Sequence, residues 1–114
     1  MSRKNAPVLD EMLKAIDGIE AAVAGKTFAE FQSDWLLKHG VQRGLEIISE
    51  ASRRLPQDMK ARHPAIRWPA IAGIGNVLRH DYHAISDNVI WRVVQDELGA
   101  LKRALEAMVR TLDE

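Results

Sequence analysis

The chain contains no cysteine. Disulfide staples, thiolate metal sites and cysteine nucleophiles are therefore excluded together, and thiol redox chemistry with them. Net charge is also lacking, because sixteen basic and sixteen acidic side chains cancel. No global positive field draws such a protein onto nucleic acid or an anionic membrane, so any RNA contact must be local. Long apolar runs are missing: no window approaches the ~20 apolar residues of a membrane span. Asp10, Lys14 and Asp17 interrupt the stretch after Met1 to Ala6, which leaves no signal-peptide pattern. The expectation is a soluble, cytoplasmic protein with no membrane partner. Absent too are strand alternation, internal repeats, a glycine-rich phosphate loop, a nucleophile elbow and a zinc-protease helix, so the classes those motifs define lose support.

What is present is helical periodicity. At 114 residues, 46% of them hydrophobic, the chain has the size of one domain with a modest core, taken here as residues 1–114. Leu9, Met12, Leu13, Ile16, Ile19, Ala22 and Val23 recur at three- and four-residue steps between Pro7 and Ala24, and Gly25 suits the end of that helix. Thr27 and Glu30 form a capping box, which starts a second helix near Phe28. That helix is predicted to run to Leu55, with Val41, Leu45, Ile48, Ser52 and Leu55 on one stripe and with Gly40 and Gly44 marking a kink or a tight helix approach. A short helical turn and a loop fill Pro56 to Pro69, and a third helix covers Ala70 to His83 with Pro69 in its first turn. From Val89 onward, Trp91, Val94, Leu98, Leu101, Leu105, Met108 and Leu112 predict one last unbroken helix, a seam of a bundle. Trp35, Trp68 and Trp91 are expected as core or interface anchors, and His39 and His63 as surface residues.

Chemistry concentrates between Gly75 and His83. Asn76, His80 and His83 stand at i, i+4 and i+7 on one helix face, with Arg79 and Tyr82 on the strip beside them. Imidazole exchanges protons near neutral pH, and guanidinium holds a phosphate in two-pronged fashion. Together they could support phosphodiester cleavage without a metal: a base takes the ribose 2′-hydroxyl proton, an acid protonates the leaving 5′-oxygen, and a cation stabilises charge at phosphorus. One histidine serves poorly as both acid and base, so two copies of the face in a symmetric dimer are chemically attractive. On most helices, however, such residues are solvated surface groups, and spacing alone does not identify an enzyme. A metal set of His80 and His83 with Asp81 or Asp87 lacks a clear third ligand, so no metal or cofactor is expected.

The run from Ile66 to Tyr82, followed by Val89 to Val94 and preceded by Gln42 to Ala51, resembles the HepT-like HEPN ribonuclease toxins, and the resemblance covers most of the chain from Asp34 onward. Their signature is an arginine, four residues, a histidine, any residue and a tyrosine, with asparagine commonly next after the arginine. Asn76, His80 and Tyr82 match it, and Gly75 stands where the arginine belongs. The resemblance implies an all-α, antiparallel helical bundle of four main helices plus a short turn, HEPN-like and homodimeric. It implies a composite, metal-independent ribonuclease site at the subunit interface, acting on RNA rather than DNA. It further implies a toxin opposed by an MntA-type nucleotidyltransferase antitoxin that attaches AMP to the motif tyrosine, here Tyr82. On that reading His80 moves the proton, and Asn76 orients it or the phosphate. Arg79, one helical turn after Gly75, stands in for the missing guanidinium. The alternative is a catalytically degenerate HEPN protein that binds a nucleotidyltransferase or serves as a helical interaction module, with Gly75 permitting close approach across the dimer.

Overall fold

The computed structural model describes residues 3–80 and 87–112, apart from the side chain of His80. After a 3-10 turn at Arg3–Asn5, helix α1 spans Ala6–Val23 and buries Leu9, Met12, Ile16, Ile19 and Val23, the stripe that its spacing predicts. Gly25 follows with φ +73°, a left-handed conformation that a side chain would resist.

Helix α2 (Phe28–Ser33) begins at the capping box. Glu30 N–H donates to the Thr27 hydroxyl at 3.1 Å, and Thr27 N–H donates to the Glu30 carboxylate at 2.9 Å. The backbone bond from Thr27, then its side-chain bond, holds the Glu30 carboxyl below its ordinary value. This support is complete above the ordinary carboxylate range and is lost as pH falls through the lowered value. Thr27→Ala is expected to lower stability by about 1 kcal/mol in a urea titration at neutral pH, and the deficit should shrink in acid.

The predicted single helix from Phe28 to Leu55 is in fact divided. Asp34 adopts an extended conformation (φ −100°, ψ 99°), and its carboxylate accepts Leu37 N–H at 3.0 Å, which starts helix α3 at Trp35–Ser52. A short acidic side chain that can cap a new helix competes with continuation of the old one. Gly44 faces α1 so closely that a Cβ there would meet Ile19 Cδ1 at 2.7 Å, so it marks a tight approach, whereas nothing lies within 4 Å of a Cβ at Gly40.

Helix α4 (Gln57–Ala61) is the expected short turn. The Trp68 indole N–H donates to the Lys60 and His63 carbonyls, both at 3.1 Å, and ties the end of α4 to the start of α5 (Trp68–His80). Helices α6 (Asp87–Asp96) and α7 (Leu98–Thr111) replace the single last helix that the spacing predicts, with a break at Glu97 (φ −115°, ψ −30°). The apolar stripe survives it: Val94, Leu98, Leu101, Leu105, Met108 and Leu112 are all buried.

Four rods therefore build the bundle: α1, α3, α5 and the pair α6–α7. α1 packs on α3 and α7, and α5 packs on α3. Small α2 closes one end against α6, where Phe31 and Trp91 stack with centroids 5.1 Å apart. All regular structure among the described residues is helical, and no helix among them is long and apolar enough to cross a membrane. Trp68 and Trp91 are half-buried, but Trp35 lies outside the core: it is 69% exposed, with its ring 4.2 Å from that of His39.

Candidate functional site

The site grows from the seam between α3 and α5. Ser49 on α3 touches both Ala72 and Gly75, while Arg53, one turn later, touches Ala72, so the two helices run antiparallel. Ser49 is 1% exposed. Its hydroxyl donates to the Ala72 carbonyl at 2.8 Å and accepts the Gly75 N–H at 3.0 Å. A buried hydroxyl costs stability unless it is hydrogen-bonded, and here both its donor and its acceptor capacity are used on the backbone of one neighbouring helix.

That bridge requires a glycine. A Cβ at position 75 would lie 2.9 Å from Ser49 Oγ, 3.1 Å from Ser49 Cβ and 3.4 Å from Arg79 Nη1. The first two contacts are too close for the packing to stand unchanged. Gly75 thus closes onto α3 of its own chain.

The third contact involves Arg79. Arg79 is an exposed residue whose guanidinium folds back over the bare stretch of α5 at Gly75. Among the described residues, no carboxylate pairs with it. Arg43 and Arg67 are engaged instead by Glu46 and Glu97. Asn76 is exposed one position along the same surface, and the backbone of α5 continues as helix to His80, which keeps Asn76 and His80 one turn apart. Tyr82, His83 and Asp81 lie outside the described residues. Asp87 pairs with Lys38 at 3.3 Å and joins the start of α6 to the start of α3.

Sequence reasoning missed Ser49 and Arg53. Their signal was modest: a serine and an arginine at i, i+4 beside the apolar stripe of α3, polar residues on a flank that could face either solvent or another helix. Arg53 Nη2 donates to the Ala72 carbonyl at 2.8 Å, and its Nη1 lies 3.9 Å from Glu50.

An apolar cavity of about 140 Å³ lies on the inner side of α5, among Leu45, Ile48, Ile71, Ile74, Leu98 and Leu101, and neither Asn76 nor Arg79 lines it. The polar groups instead form an open strip, a shape that suits a polymer better than a small enclosed ligand.

The family model described as "Ribonuclease HepT-like" matches residues 12–108. The chain belongs to the HepT-like ribonuclease family. It is 33% identical over 108 residues to a protein of Thermococcus cleftensis named "Probable ribonuclease HepT", covering 95% of this chain and 98% of that one. It is 29% identical over 104 residues to a protein of Caldanaerobacter subterraneus subsp. tengcongensis named "Putative RNase", covering 91% of this chain and 93% of the relative. No solved structure matches the chain. Membership of the HepT-like family agrees with the helical bundle and makes RNA the substrate class to be considered at the α5 strip.

Proposed function

We propose that this protein is a metal-independent endoribonuclease toxin whose site is completed by a second copy of the chain. In the reaction one imidazole takes the proton of a ribose 2′-hydroxyl, and the freed oxygen attacks phosphorus. The bond to the 5′-oxygen breaks as a second imidazole returns a proton to it, which leaves a 2′,3′-cyclic phosphate and a 5′-hydroxyl. His80 from each copy supplies these two imidazoles, Asn76 orients the imidazole or the phosphate, and Arg79 supplies the cation. Supporting the dimer, four of the five exposed large apolar side chains among the described residues, Trp35, Leu36, Val77 and Val89, sit on the start of α3, the C-terminal half of α5 and the start of α6, and the fifth, Val109, on α7. Apolar exposure of this kind marks association surfaces.

The observation that carries the reading is the place of Arg79. The family's arginine position is Gly75, and the Arg79 guanidinium, reaching from one turn further on, fills the space above that glycine. On this reading Arg79 supplies a cation beside the motif's arginine position. Tyr82, two residues after His80, is the acceptor for AMP from an MntA-type nucleotidyltransferase antitoxin; the added bulk and negative charge would repel RNA from the strip.

Purified protein in EDTA is expected to cut total tRNA and leave cyclic phosphate ends. Arg79→Ala should slow cleavage by about 10²-fold, the scale for losing one stabilising group at a developing charge. Undiminished cleavage by Arg79→Ala would remove that residue from the mechanism. Failure of the wild-type chain to cut any RNA would favour the binding-only reading, to which Gly75 lends weight.

A further inference from the structure

Two guanidinium groups converge on one turn of α5. Arg53 reaches across from α3 and fixes Nη2 on the Ala72 carbonyl at 2.8 Å. Arg79 folds back so that Nη1 stands 3.4 Å from the Cβ position of Gly75. Ala72 and Gly75 are three residues apart on the helix, which separates the two anchor levels by about 4.5 Å along its axis. Like charges held at neighbouring levels of one helix repel each other, and an anion between them would relieve that repulsion. Among the described residues the compensation is weak: Glu50 lies 3.9 Å from Arg53, both side chains are exposed, and surface pairs of this kind contribute little.

We infer that Arg53 is a positioning residue for the RNA substrate, forming with Arg79 a two-guanidinium clamp on a backbone phosphate. The inference rests on the ribonuclease reading above and extends it to a residue of α3 that lies outside the motif. The carbonyl contact suits the role. One N–H of Arg53 is spent on Ala72, which holds the planar head in place, and its other donors remain for phosphate oxygens. A head that is already ordered loses less rotamer freedom on binding than a free surface arginine. Gly75 contributes by having no side chain, which lets Arg79 Nη1 come within 3.4 Å of its Cβ position. The His80 backbone lies five residues beyond Gly75, about 7.5 Å further along the axis.

The test is the salt dependence of binding to a single-stranded RNA oligonucleotide with 2′-O-methyl groups, which cannot be cleaved, measured beside cleavage of the unmodified strand. Arg53→Gln is expected to weaken binding several-fold and to lower the slope of log K against log salt by about 0.7, the share of one phosphate contact on a single strand. Arg53→Lys should keep most of the slope, because it retains the charge. Thermal unfolding of Arg53→Gln should match wild type, since Arg53 is exposed, and a purely structural role would move that curve and not the salt slope. If the wild-type chain cuts RNA while Arg53→Gln shows unchanged slope and affinity, the clamp is overturned and the ribonuclease reading stands. If the wild-type chain neither binds nor cuts RNA, the ribonuclease reading falls and takes the clamp with it.

Discussion

His80→Ala protein should cut RNA about 10²–10⁴-fold more slowly than wild type, the range for losing a positioned acid or base. The loss should appear at saturating substrate as well as at low substrate, because a proton-transfer group acts in the transition state rather than in ground-state binding. The oligonucleotide that cannot be cleaved should still bind, since the cations at Arg53 and Arg79 remain. If two copies share the work, wild-type activity should also follow a bell-shaped pH profile, one limb for the base and one for the acid. Subunit mixing separates a composite site from two independent ones. Equal amounts of wild-type and His80→Ala chains, allowed to exchange, should retain about a quarter of the wild-type activity if each twofold dimer needs both imidazoles. Retention of half would show that each chain works alone.

The second large effect concerns restoration of the motif arginine. Gly75→Arg is expected to destabilise the fold by a few kcal/mol, since overpacking alone typically costs about 1–3 kcal/mol. The new Cβ would press on Ser49 Oγ and Cβ, and the arginine head would arrive beside that of Arg79, a like charge. The Ser49 bridge to the α5 backbone would have to open. Adding Ser49→Gly removes both clashing atoms and should recover part of the loss, less the cost of up to about 1 kcal/mol for a glycine inside a helix. Urea midpoints of the two single variants and the double variant measure the coupling, and additive values would mean that the Ser49–Gly75 contact carries no such constraint. Activity of Gly75→Arg is informative only alongside that measurement, because a loss of cleavage can follow from a loss of fold.

Much of the bundle was legible because its signals are local. The Thr27–Glu30 box needs only four residues, Gly25 needs only its own backbone, and the stripes of α1 and α7 need only periodicity. The two breaks escaped for the opposite reason. At Asp34 the cap signal was present, but it stood inside an apolar pattern that continued on both sides. At Glu97 a single non-helical residue left the three- and four-residue steps intact. The site divides in the same way. The placing of Asn76, Arg79 and the His80 backbone along α5 follows from the helix repeat, whereas Ser49 and Arg53 meet α5 only because α3 and α5 lie antiparallel and in a particular register, and one-dimensional spacing does not encode that relation.

The Ser49 bridge also bears on descent. Within this fold the effect of a change at position 75 depends on what already occupies position 49, so the order of substitutions is constrained. A lineage carrying Ser49 can change an exposed residue such as Val77 without disturbing this packing. It can accept a side chain at position 75 only after residue 49 has shrunk or α3 has shifted. With the serine bonded to the Ala72 carbonyl and the Gly75 N–H, any path to a larger residue there therefore runs through a less stable intermediate.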